Sequence, residues 1–293
     1  LHFDQVKADL HHPVFAAFYP TMPISLIIIG LALEKAGHLF LPEEILLPTL
    51  QFLWLTGTAG IAYFALTILN INFMKPGVDL KIANMGWLIP PVSALIVPIL
   101  GGRLSVEYAG TTLGNINLVA SLIFLGVGSL LFIFVMGAVF TRYISHSLLP
   151  APLAPTIWIG IAPTAILTII SVKLTHPLII FFNASSEVAE VFGIISKAIG
   201  VGFWGFAFFW LILAISMTVK HHKKIEIPFA MSWWAFTFPL ESFIVSTGVI
   251  YKAIGGSFFL VIGLTALVAF FVIWGTVLVK TIKRVISGEI FEG

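Results

Sequence analysis

Eight apolar runs, each long enough or nearly so to cross a lipid bilayer, divide this chain almost from end to end. Their approximate limits are 13–33, 45–70, 84–100, 113–140, 153–172, 188–219, 228–251 and 257–280. A helix needs about 20 residues to cross roughly 30 Å of hydrocarbon. Of the 293 residues, 59% are hydrophobic and 10% are charged, whereas soluble domains carry about 25% charged residues. Mean hydropathy is +1.08. Such a chain dissolves in lipid and is read as an integral membrane protein. Lipid then narrows the fold, because an open strand would leave edge N–H and C=O groups unpaired in hydrocarbon. No ten-residue alternating pattern of a barrel strand occurs. The expected fold class is all-α, with residues 1–293 forming a single transmembrane domain.

Several functions drop out on composition. A net charge of +2 is too small to point to a nucleic-acid partner. With no cysteine in the chain, disulfides, thiolate metal sites and cysteine nucleophiles are excluded. The pairs His11–His12 and His221–His222 invite a metal reading, but adjacent residues diverge on a helix. No H-E-x-x-H or carboxylate at ligand spacing accompanies them, so no metal is expected. No Gly-rich phosphate loop followed by Lys and Ser or Thr is present, and no cofactor is expected.

Lysine and arginine set the expected orientation. With eight spans, both chain ends share one side, together with Lys7, Lys75, Lys81, Arg142, Lys220, Lys223, Lys224, Lys280, Lys283 and Arg284. The other side holds Lys35, Arg103, Lys173 and Lys252, while Lys197 falls inside a run. This bias places both ends in the cytoplasm of a multi-pass cell-membrane protein.

Prolines reveal an alternation. The odd-numbered runs carry interior prolines: Pro20 and Pro23; Pro90, Pro91 and Pro98; Pro163; Pro239. The fourth, sixth and eighth carry none, and the second has Pro42 and Pro48 at its entry. An interior proline deletes a helix hydrogen bond and bends the helix, so it persists where neighbours or a water-filled cavity satisfy the freed carbonyl. Hydroxyls follow the same runs: Thr21 and Ser25, Ser93, Thr164 and Thr168, Thr237 and Ser242. The pattern predicts helical hairpins, each pairing a kinked inner helix that lines a central path with a straight outer one.

The string "WWAFTFPLESF" resembles the ninth transmembrane segment of the tellurite-resistance/C4-dicarboxylate transporter family. That family includes the bacterial TehA proteins, yeast malic acid and sulfite transporters and the slow anion channels of plant guard cells. "DLHHPVFAAFYPTMPIS" is similar to its loop into the third segment, and "LAPTIWIGIAPTAILTI" to its seventh. The likeness runs from about Asp9 to Arg284. It implies the last eight of ten helices, arranged in five hairpins around a pore, and assembly as a homotrimer. The family's first hairpin is then expected to belong upstream of this sequence. The resemblance also implies small anions or dicarboxylates as the permeant species and the lipid bilayer as the surroundings.

By that resemblance, Phe238, just before the motif's proline, is the ring that occludes the pore. A ring at a constriction blocks ions by dewetting and swings aside at modest rotamer cost; its alternative is packing between helices. Glu241 lies at i+3 from Phe238, on much the same face. An ionised carboxylate in the bilayer centre costs roughly 2.5–3.5 kcal/mol on insertion scales, so it must face a cavity, find a cation or carry a proton. Glu241 therefore reads as a group coupling protons to substrate, as a partner of a buried cation such as Lys197, or as a hydrogen-bond partner of the backbone freed by Pro239. Arg103 and Lys173, at the outer ends of inner runs, read as solvated charges or as anion attractors. Trp233 and Trp234 read as interface or packing aromatics. Two rivals to an anion pore remain at this point, a proton-coupled dicarboxylate carrier centred on Glu241 and an intramembrane enzyme.

Overall fold

The computed structural model describes residues 3–12, 15–74, 77 and 79–289. Pro13, where the first run was expected to open, and Lys75 of the charge count lie outside them. Among the described residues all the regular structure is helical. A short helix α1 (Phe3–Leu10) is followed by α2 (Thr21–Ala36), α3 (Glu43–Met74), α4 (Ile89–Glu107) and α5 (Thr112–Ser145). Then come α6 (Ala162–Lys173), α7 (Thr175–Phe181), α8 (Ser186–Lys224), α9 (Thr237–Ile254) and α10 (Ser257–Ser287).

Seven helical stretches are long and apolar enough to cross a membrane: Phe15–Leu39, Glu43–Met74, Met85–Glu107, Thr112–Ser145, Ala151–Lys173, Ser186–Lys224 and Ser257–Ser287. The eighth expected run, 228–251, is helical too, as a 3-10 segment Met231–Phe236 continued by α9. Glu241, Lys252 and a set of Ser and Thr residues leave it less apolar than the rest. The count of eight therefore holds for helical runs and falls to seven on apolarity.

Four of these helices share one construction. Each enters as a 3-10 segment and widens to an α-helix beside a proline: Phe15–Phe18 into α2, Met85–Leu88 into α4, Ala151–Ile161 into α6, and Met231–Phe236 into α9. The cause is local. A proline lacks the N–H that would reach the carbonyl four residues back, so the preceding N–H takes that carbonyl at 3-10 spacing. Ahead of Pro20, Tyr19 N–H donates to Ala16 O at 3.2 Å, and ahead of Pro23, Met22 N–H donates to Tyr19 O at 3.2 Å. Ile89 N–H serves Gly86 O ahead of Pro90, and Ala162 N–H serves Ile159 O ahead of Pro163. Pro91 and Pro239 fall in the first turn of α4 and α9, where an α-helix offers no internal acceptor. Of the prolines expected to kink inner helices, Pro98 lies well inside its α-helix; the others mark the change of helix type.

Burial follows the same alternation. Over an apolar 18-residue length of each stretch, 83% of residues are buried in Met85–Glu107 and 94% in Ala151–Lys173, against 33%, 22%, 33% and 6% in α3, α5, α8 and α10. Phe15–Leu39 is the exception among the proline-bearing helices at 39%, because Thr21, Ser25, Ile29 and Ala32 leave one of its faces open.

The chain divides into two compact units, residues 1–144 with 170–196 and residues 145–169 with 197–293. In the first, α2 packs on α3 and α4, and α3 on α4. Trp54 on α3 donates its indole N–H to Val97 O of α4 at 3.0 Å. Gln51 and Asn117 exchange two amide hydrogen bonds, at 3.0 and 2.8 Å. In the second unit α9 packs on α10, and the two 3-10 segments pack together. Indole N–H groups again bridge helices: Trp158 to Thr218 and Trp204 to Thr247, each at 2.9 Å, Trp210 to Ile157 O at 2.9 Å, and Trp234 to Thr281 at 3.2 Å. In lipid no water can satisfy a buried indole, so a neighbouring helix does. The turn from α9 to α10 uses Gly255 and Gly256 at φ of 76° and 98°, a backbone region that a Cβ disfavours.

Candidate functional site

The first half of α9 is buried on almost every side. From Ala235 to Phe243 only Phe238 and Glu241 are half-buried; the other seven residues are buried. These two stand at i and i+3, so they share a face. The same face continues through Val245, Gly248 and Lys252, all exposed. α9 thus presents one open stripe that starts at Phe238. The helix enters this position through Met231–Phe236, whose Phe236 ring meets Trp158 edge-on at 5.2 Å and Trp233 at 5.7 Å. Phe238 differs from those rings: among the described residues no aromatic side chain stacks on it. Phe243, by contrast, lies in a stack with Trp204 and Phe208.

Around Phe238, Thr237 donates its hydroxyl to Trp234 O at 2.8 Å and Ser242 donates to Phe238 O at 3.0 Å. The other expected pore-lining hydroxyls behave the same way. Ser93 donates to Ile89 O at 2.6 Å, Thr164 to Ile161 O at 3.5 Å and Thr168 to Thr164 O at 2.8 Å, all from buried positions. Thr21 and Ser25 donate to Phe18 O and Met22 O at 2.6 Å, yet their side chains stand exposed on α2. A hydroxyl bonded to its own backbone keeps its oxygen lone pairs for a visitor and lends its proton to the helix.

Glu241 and Lys197 do not meet. Lys197 is exposed on α8, and among the described residues no ion pair or hydrogen bond reaches the Glu241 carboxylate. Arg103 and Lys173, noted separately in the sequence, line one cavity in the first unit together with Glu34 and His176. Neither of the latter two stood out in the sequence, where both look like ordinary charges at helix ends. Trp233 donates to Pro228 O at 2.9 Å, and the Lys280 ammonium lies 4.4 Å above its ring.

Three of the four paired histidines have structural partners. His12 Nδ1 accepts from Phe15 N–H at 3.2 Å, its ring stacked 4.2 Å from Phe15, and His11 Nδ1 lies 2.8 Å from Lys7 O. His222 Nδ1 accepts from Ile227 N–H at 3.5 Å. Among the described residues no group of three His, Asp or Glu residues is placed to hold a metal ion.

The sequence has counterparts among known proteins. The model of the voltage-dependent anion channel family, SLAC1, matches residues 1–282. The chain belongs to that family. An uncharacterized transporter of Methanocaldococcus jannaschii is 32% identical to it over 292 residues, covering 99% of this chain and 79% of the relative. A sulfite efflux pump of Arthroderma benhamiae is 22% identical over 247 residues, 82% of this chain and 64% of the pump. A malic acid transport protein of Schizosaccharomyces pombe is 22% identical over 190 residues, 63% of this chain and 43% of that protein. The SLAC1 family is thus one of channels and transporters, and it includes the relatives that the motif around Phe238 suggested.

Proposed function

We propose that this chain passes small anions or dicarboxylates across a membrane through a path lined by its proline-bearing helices, with Phe238 as the plug. The observation that carries the reading is the open face of α9. In an otherwise buried stretch, a phenylalanine on which no aromatic stacks among the described residues stands immediately before the proline of the first turn of α9. A half-buried ring on which no aromatic side chain stacks among the described residues has fewer contacts to lose on changing rotamer than a packed core ring. Sulfite and malate, named in the relatives, are both small anions. Selectivity would come from path width and the N-terminal ends of the α-helices, with a hydroxyl contributing where it turns its proton from the helix carbonyl to the anion. On the charge bias and the family resemblance, the protein is a multi-pass protein of the cell membrane with both described ends cytoplasmic, working as a homotrimer.

A second reading rests on Glu241. An acid on the stripe below Phe238, with no cation paired to it among the described residues, is where a carrier would hold a proton while a dicarboxylate moves. Liposomes holding the protein separate the two. Wild type, Phe238→Ala and Glu241→Gln are compared for anion current and for malate flux with and without a proton gradient. A large current in Phe238→Ala that wild type lacks, with no dependence on the gradient, is the expected result. Unchanged current from folded Phe238→Ala protein overturns the plug. Gradient-driven flux that Glu241→Gln abolishes establishes the carrier instead.

A further inference from the structure

A cavity of about 270 Å³ opens in the first unit at the ends of α2, α4 and α6 and the start of α7. Pro98, Ile99 and Leu174 supply apolar wall, and Glu34, Arg103, Lys173 and His176 supply the polar groups. This volume lies just below the roughly 300–1,000 Å³ of pockets for drug-sized ligands, so it suits a solute of a few carbons. Its lining carries one carboxylate, a guanidinium, an ammonium and an imidazole, and the carboxylate of Glu107 reaches the guanidinium from outside the lining.

The one carboxylate is held in a particular way. Arg103 Nε lies 3.5 Å from Glu34 Oε1, and its terminal nitrogen lies 2.5 Å from Glu107 Oε1 one turn along α4. Glu34 also takes the Lys35 ammonium at 2.7 Å. The Glu34 side chain is 16% exposed while that of Arg103 is 51% exposed, so the acid is tucked inward and the base reaches outward. A guanidinium has a fork suited to a carboxylate or an oxyanion. Here two of the protein's own carboxylates occupy it. A carboxylate from solution would find the same cationic surroundings and would have to displace them.

We propose that this cavity is a binding site for a small dicarboxylate, with Arg103 and Lys173 as its ligands, His176 at its rim, and Glu34 as a built-in competitor for Arg103. The site rests on the anion-transport reading and adds to it a place where the solute is collected away from the Phe238 stripe. Built-in competition makes it a weak, fast-exchanging site, which conduction requires of any station on a path. The competition fixes the sign of two substitutions: removing the acid strengthens anion binding at Arg103, and removing a base weakens it.

The test is succinate binding to the purified protein in detergent, by calorimetry, with thermal unfolding as the folding control. Wild type, Lys173→Gln and Glu34→Gln are compared. A partly exposed charge pair is typically worth up to about 1 kcal/mol, or roughly fivefold in affinity. The expected result is weakening of about two- to fivefold in Lys173→Gln and tightening by a similar factor in Glu34→Gln. Folded Glu34→Gln protein that binds succinate no more tightly than wild type overturns the proposal, as does the absence of saturable binding in every variant. Chloride competing as well as succinate at equal concentration would mark the site as selective for charge alone and overturn the dicarboxylate assignment. A failure of the plug leaves these outcomes untouched, because it is read in the current of Phe238→Ala and not in this binding.

Discussion

Replacing Gln51 by Met and Asn117 by Leu, singly and together, asks what a buried polar pair contributes inside this protein. The two side chains are 7% and 0% exposed and exchange hydrogen bonds of 3.0 and 2.8 Å between α3 and α5. Each single substitution leaves one amide buried with its donor and acceptor unmatched, at a cost of about 1–3 kcal/mol. The double substitution removes both amides and presents apolar groups of similar size, so most of that penalty disappears. Two neutral bonds at about 1 kcal/mol each give a coupling near 2 kcal/mol by the soluble-protein scale. Measured couplings in a membrane protein average about 0.6 and reach about 1.7 kcal/mol, because the unfolded state in the membrane also finds partners. The pair sits near the upper end, since both bonds belong to the same two groups and neither side chain is reached by solvent. We expect a coupling of about 1–1.7 kcal/mol from unfolding equilibria in mixed micelles, followed by circular dichroism. Additivity of the two single effects within about 0.3 kcal/mol would refute the reasoning, for it would mean that the amides find water or other partners when separated.

Gly160→Ala should lower the unfolding midpoint, with a loss of about 1–3 kcal/mol for overpacking, because an added Cβ would stand 2.3 Å from Trp210 Nε1; an unchanged midpoint would show that this seam yields easily. Thr247→Val keeps the shape but strands the Trp204 indole, which donates to the Thr247 hydroxyl at 2.9 Å. The same unfolding assay should show a loss of about 1–2 kcal/mol, and a neutral result would mean that the indole finds another acceptor.

Much of the scaffold was written in composition. Long apolar runs can only be helices in lipid, and the rhythm of Pro20, Pro90, Pro163 and Pro239 marked which helices are built differently. What those prolines do was not legible. Each removes a donor, which suggests a kink, but whether the stranded carbonyl is taken by the preceding N–H depends on the packing of the whole entry segment. The run 228–251 was recognised by its motif, and the Ser, Thr and Glu residues that weaken its apolarity belong to the candidate site. Burial separated Phe238 and Glu241 from their neighbours, and no periodicity in the sequence singles out an uncovered face. The expected Lys197–Glu241 pair fails for a plain reason: matching two buried-looking charges by sign ignores which way each helix turns its side chain. Glu34 and His176 were invisible because they lie 69 and 73 residues from Arg103 in opposite directions along the chain, and only folding gathers them.

The indole bridges have a consequence for how this molecule comes into being. Trp54, Trp158, Trp204, Trp210 and Trp234 each have an N–H whose acceptor lies on a different helix. None of these bonds can exist while helices are inserted one by one; each closes only when two of them have found the right depth and rotation. Indole emission is sensitive to the surroundings of that N–H, so unmodified protein carries its own optical record of helix docking, seam by seam.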